Sequence, residues 1–190
     1  MRLPGAIVLG SLLVSQMSGA DIDRALAVAR ARDDERQQFH HRYIIELSDP
    51  IVTQLEITTE FRRLVMVGEE HVFRGDWMFT RSQRAAEEAL GSTRGLVSLK
   101  AQVRFNPLNT YVASPPYKLA LDGAELDTTL TPQFSVPFKT RDGRTLTSLI
   151  GAGLEAIVGA DRIGQRVRTI GVVLQGQEVA KAQVDFSRLD

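Results

Sequence analysis

The sequence predicts a mainly β protein: an antiparallel β-sandwich with an N-terminal helix and a two-helix insertion, which brings it to the margin of α+β. Three observations carry that expectation. Val97, Leu99, Ala101, Val103 and Phe105 alternate with Ser98, Lys100, Gln102, Arg104 and Asn106, and period 2 marks a strand with one dry and one wet face. Ile170, Val172 and Leu174 alternate up to Gln175-Gly176-Gln177, and Ala180, Ala182, Val184 and Phe186 alternate back, which is the pattern of a hairpin. Turn signals divide the chain into about seven to nine such segments in all, as in a sandwich or barrel.

The first residues read as a leader. Met1-Arg2 precedes an apolar run from Ala6 to Val14, and Ser18-Gly19-Ala20 supplies small residues before Asp21. That arrangement fits a secretory signal peptide over residues 1–20, cut after Ala20. The run is short of the ~20 apolar residues that a helical span requires, so no transmembrane span is expected after cleavage. Residues 21–190 then form a single domain, and the expected compartment is the periplasm or the exterior.

From Asp21 to about Tyr43 the spacing is helical, with Ile22, Leu26, Ala29, Phe39 and Tyr43 apolar and the middle almost wholly polar. So thin an apolar face predicts a helix on the outside of the domain or one reaching toward a partner. Asp49-Pro50 turns the chain into an alternating strand over Ile51 to Ile57. At Thr59 the period changes to that of a helix carrying Phe61, Leu64, Val65, Gly68 and Val72, ending before Gly75. Thr80 with Gln83 has the spacing of a capping box, and Gly91 supplies a stop. Residues 59–91 are therefore a helical excursion from a sheet, and Trp77 within it is expected to be a buried plug tying helices to strands.

After the strand at 95–106 comes a proline-stiffened loop, and alternation resumes at Tyr117, Leu119 and Leu121 before an Asp122-Gly123 turn. Pro132 and Pro137 bracket Phe134, Val136 and Phe138, which places that segment at a sheet edge or bulge. Arg141-Asp142-Gly143-Arg144 signals a hairpin leading to Ile150, Ala152, Leu154, Ala156 and Val158 on one face. Gly151, Gly153 and Gly159 argue for a strand there, with a bulge or a close backbone approach, because in a helix each would cost roughly 1 kcal/mol relative to alanine.

Composition narrows the functions. The chain has 23 basic and 23 acidic residues, and loss of Arg2 with the leader leaves an acidic excess of one, no electrostatic footprint for nucleic acid or anionic lipid. No cysteine is present, so neither a disulfide nor a lipid-anchored N-terminus is available. Aromatics at 6% do not furnish the girdles of an outer-membrane barrel.

Motifs for catalysis are sparse. Gly91-Ser92-Thr93-Arg94-Gly95 has its serine misplaced for a nucleophile elbow. The carboxylate pairs at Asp33-Asp34-Glu35, Glu69-Glu70 and Glu87-Glu88 fall on helix surfaces and not across a cleft. The expected function is an exported, non-catalytic binding or assembly module whose partner is another envelope protein or an envelope polymer, with no cofactor. Its binding residues are sought in Arg104, Asn106, Asn109, Tyr111 and Tyr117, which gather amides, a cation and aromatics around the stiffened loop. The alternative is a metal-assisted hydrolase using His71 and Glu70 with His40 or His41, which requires those side chains to converge on one point. A weaker third reading is a closed barrel carrying an apolar ligand.

Overall fold

The computed structural model describes residues 17–106 and 113–189. Its larger sheet has the order β1-β2-β3-β9-β6, built from Ile44–Glu46, Val52–Thr58, Leu96–Arg104, Leu149–Gly159 and Thr129–Phe134. The second sheet runs β11-β10-β4-β5, from Gln177–Asp185, Val167–Leu174, Tyr117–Leu121 and Ala124–Glu125. Strand β4 reaches both β3 and β9 across the interface between the layers. Every pairing within the sheets is antiparallel. Among the described residues both sheets have free edges and do not close into the barrel of the third reading. A short hairpin, β7 (Phe138–Lys139) with β8 (Thr145–Leu146), makes a small sheet of its own.

The period-2 pattern decides which side is dry. β3 turns Val97, Leu99, Ala101 and Val103 inward between Leu55 and Ile57 of β2 and Ala152, Leu154, Ala156 and Val158 of β9. Leu119, Leu121, Ile170 and Val172 supply the facing layer, and all of these belong to one hydrophobic cluster. Two hairpins take the primed turn that matches strand twist, with positive φ at Asp122 (49°) and Gly123 (81°), and at Gln175 (52°) and Gly176 (79°). Strand β6 is the edge expected around residues 132–138, with a bulge between Gln133 and Phe134. The glycines of β9 do lie in a strand, and at Gly151 a Cβ would sit 2.4 Å from the carbonyl oxygen of Val103. Ile150, expected to face inward with Ala152, is left uncovered at the start of β9.

The helices depart further from expectation. The N-terminal segment is two helices, α1 (Gly19–Ala29) and α2 (Asp33–His41), not one. Far from standing off the body, α1 buries Ile22, Ala25, Leu26 and Ala29 against α3 (Glu60–Phe73). The alanines supply the contact that a reading based on large side chains misses. Ser18 and Asp21 form the capping box of α1, so the cut expected after Ala20 falls inside its first turn. Helix α4 (Gln83–Leu90) is capped by Ser82, not Thr80. Thr80 is buried and donates to the carbonyl of Trp77, while Gln83 reaches Gly19 and Asp23 of α1. A short helix α5 (Ala160–Ile163) links β9 to β10.

The crossing of α1 and α3 is as tight as the backbones allow. A Cβ on Gly68 would lie 2.7 Å from the Cβ of Ala29, so Gly68→Ala should destabilise the fold by about 1–3 kcal/mol in urea unfolding. In an Ala29→Gly background that loss should shrink; an equal loss would mean that the two residues do not touch.

Asp122 gives a pH signature. Its carboxylate accepts from the Thr169 N–H (2.9 Å) and from Arg168 (2.5 Å), and these, the backbone bond first, hold its pKa below the ordinary value. A depressed folded pKa contributes stability that is present above the unfolded value and is lost as pH falls through the folded one. The urea midpoint should therefore drop as pH is lowered past the ordinary aspartate pKa of about 3.9, and Asp122→Asn should drop less over that range.

Candidate functional site

Helices α2 and α3 lie along a groove of about 880 Å³. Asp33, Arg36, Gln37 and His40 recur at helical spacing on α2, as do Arg62, Met66, Glu69, Glu70 and Phe73 on α3, and both stripes line it. At its base Arg62 is only 3% exposed. Its guanidinium donates to the Ile57 carbonyl (2.5 Å), pairs with Glu56 (2.8 Å) and donates through Nε to Nδ1 of His40 (3.3 Å). Thr59 caps α3 by accepting from the Arg62 N–H, which fixes where the side chain starts.

His40 is thereby assigned a tautomer. Nδ1 accepts from Arg62, so the proton sits on Nε2, which donates to Glu69 with both carboxylate oxygens at 3.0 Å. Neither ring nitrogen keeps a lone pair for a substrate proton. The trio has the composition of a relay, and in this structure both ring nitrogens of His40 are engaged within it.

The other residues of the hydrolase alternative go elsewhere. His71 bonds Asp76 through Nδ1 (2.9 Å) and stacks on Phe79 at 3.8 Å between centroids. Asp76 also accepts from the Phe79 N–H, and these bonds, that of His71 first, hold its carboxyl below the usual range. Glu70 pairs with Arg74 (2.5 Å), and His41 is exposed on α2. Among the described residues no three His, Asp or Glu side chains gather as a metal set.

Of the binding residues sought in the loop, Asn109 and Tyr111 lie outside the described residues. Arg104 and Asn106 are exposed at the end of β3. Tyr117 is buried, its ring near-parallel to that of Phe105 at 6.3 Å, so it belongs to the core and not to a binding surface. Trp77 is a second correction. It is 53% exposed, and Phe79 takes the buried aromatic place instead. Asp76 supplies the reason, because by bonding His71 and the Phe79 N–H it turns the chain so that Phe79 faces inward.

Exposed apolar side chains concentrate at the same end of α3. Phe73 is 93% exposed and Met78 73%, with Trp77 and Met66 beside them in sequence or along the helix. A second group, Phe134, Val136, Leu146 and Ile150, lies on and near the β6 edge. Sequence reasoning missed Phe73 and Met78 because large apolar residues are counted toward a core by default. The available signal was that Phe73 falls outside the Phe61, Leu64, Val65, Gly68 stripe.

The fold is that of a two-layer antiparallel sandwich with a docked helical subassembly. No helix among the described residues is long and apolar enough to cross a membrane. No protein-family model, curated protein or solved structure matches the chain.

The network at Arg62 makes a quantitative expectation. Arg62→Met leaves the Ile57 carbonyl, Glu56 and His40 without their donor and should cost roughly 2–4 kcal/mol in urea unfolding, the lower part of the range for breaking a buried pair because Glu56 is partly exposed. Arg36→Met, which loses the exposed Asp33 and only a long 3.8 Å approach to Glu69, should cost at most about 1 kcal/mol. Nitrogen-detected NMR of the unaltered protein should show His40 as the Nε2–H form; the Nδ1–H form would overturn the assignment.

Proposed function

We propose that the protein is an exported, non-catalytic binding and assembly module of the cell envelope, and that a partner protein docks at the C-terminal end of α3. The observation that carries this is the exposure of Met66 and Phe73, which line the α2–α3 groove, and of Trp77 and Met78 in the segment that follows α3. Folded chains seldom leave aromatic and methionine side chains together in water without a use for them, and these residue types are enriched where proteins meet. The groove lies between two helices, and its apolar members are Met66, Val72 and Phe73, while its acids Asp33 and Glu70 are already paired with Arg36 and Arg74. An amphipathic helix that lays its apolar face into the groove matches that arrangement.

Export is supported by the leader-like residues 1–20. The non-catalytic character is supported by His40, whose two nitrogens are both engaged.

The test is site-specific photocrosslinking in intact cells. A photoreactive residue at Phe73 or Trp77 should give one discrete adduct with a second envelope protein, and the same probe at Arg84, on the exposed side of α4, should not. Adding Phe73→Ser and Met78→Ser to the Trp77 probe should reduce the adduct at least about tenfold, in keeping with aromatic anchors dominating an interface. A chain recovered wholly in the cytoplasm, or equal labelling at all three positions, would overturn the proposal.

A further inference from the structure

The outer face of the larger sheet carries a second feature, distinct from the α3 surface. Register places Gln54, Gln102, Gly153 and Thr131 in one row across four strands. The next row holds Glu56, Lys100, Glu155 and Thr129, and on the other side Arg104, Gly151 and Gln133 lie abreast. A hollow of about 170 Å³ opens over Gly153.

Gly153 creates that hollow, and packing does not demand a glycine there. A Cβ would meet nothing closer than the Gln133 Nε2 at 3.9 Å, whereas at Gly151 it would strike a backbone oxygen. Glycine inside a strand weakens it, through chain entropy and the lack of a side chain to pack. A central position that has room for a side chain and lacks one points to a function for the empty space.

The lining identifies what would fill it. Glu56 is already paired with Arg62, and Glu155 accepts from Ser98 at 2.7 Å with Lys100 at 3.6 Å. The charges are thus spoken for, and the acidic excess beside Lys100 disfavours an anion. The amides of Gln54 and Gln102 and the hydroxyl of Thr131, which line the hollow, and the amide of Gln133, which approaches Gly153 from beside it, have no protein partner among the described residues. Each can both donate and accept. The volume lies well below the ~300–1,000 Å³ of sites for drug-sized molecules, so it suits one small ring.

We infer that this hollow binds an uncharged sugar unit of an oligosaccharide. Sugar hydroxyls are paired donors and acceptors, which the three amides and one hydroxyl complement, and the open sheet lets the rest of the chain run past on either side. The inference goes beyond the protein-docking surface and stands independently of it.

The probes are N,N′,N″-triacetylchitotriose and cellotriose, both uncharged, with trigalacturonate as the charged counterpart, titrated against the folded protein by proton–nitrogen NMR. Either neutral trisaccharide should shift the side-chain amide signals of Gln54, Gln102 and Gln133, and trigalacturonate should bind more weakly than both. Gly153→Val, which fills the hollow, should weaken binding at least about tenfold through overlap with the ring, with the thermal midpoint unchanged or raised. Gln102→Ala, which leaves the hollow open, should weaken it also. The inference is overturned by absence of shifts with both neutral sugars, by shifts confined to other surfaces, by tighter binding of the charged sugar, or by unaltered binding in a folded Gly153→Val protein.

Discussion

The register of β3 between β2 and β9 is the constraint on which the rest depends. Leu99 faces Ile57 on one side and Ala156 on the other, and Gln102 faces Gln54 and Gly153. Because side chains alternate with period 2, this one alignment fixes both the dry face and the wet one. A slip by a single residue would carry Lys100 and Gln102 into the core and Leu99 and Ala101 into water. The bulge between Val52 and Gln54 absorbs one residue at the end of β2 so that Val52 and Leu55 both stay inward.

The helical side is held to this sheet by polar means as well as apolar ones. Arg62 leaves α3 one turn after its cap and reaches the last turns of β2 through Ile57 and Glu56, while its plane lies over Tyr43 at 5.2 Å. Tyr43 in turn is fully buried and donates its hydroxyl to the Leu189 carbonyl, which closes the C-terminal end onto the N-terminal helices. A buried cation is tolerated because each of its three nitrogens meets an acceptor, one of them a carboxylate. The same network engages both ring nitrogens of His40. What looks in sequence like a histidine near acids is, in space, one link in a structural chain.

Legibility followed locality. Strand β3, the closing hairpin, the edge at Pro132 and the start of α3 at Thr59 were all readable, because alternation, turn chemistry and capping are set by residues a few positions apart. The docking of α1 was not, since it relies on Ala29 meeting Gly68, and small residues carry weak hydrophobic signal while permitting the closest approach. Trp77 misled for a related reason: burial preference belongs to the residue type, but the turn set by Asp76 chose Phe79. Of the loop residues singled out, Arg104 lies abreast of Gly151 on the face that bears the hollow, and Tyr117 is in the core. Gln54, Gln102 and Gly153 were unreadable as a group, because period 2 tells which face a residue takes and not which residues of other strands stand beside it.

Glu56 and Arg62 join the two surfaces. Glu56 lines the hollow on the sheet and Arg62 lines the groove between the helices, and their ion pair spans the layer between. A ligand that drew Glu56 away would leave a guanidinium 3% exposed without its carboxylate, a loss of about 1–3 kcal/mol or more. Glu56 is therefore a fixed wall of the hollow and not one of its recognition groups, and recognition falls to the amides, which have no such prior engagement. Arg62 likewise cannot swing into the groove to meet a partner without giving up Ile57, so the groove floor is rigid and the adaptable contacts are those of Met66 and Phe73 along it and of Trp77 and Met78 in the segment after α3. Each surface is thus a stiff base set with a few uncommitted side chains, and the stiffness of both comes from the same pair.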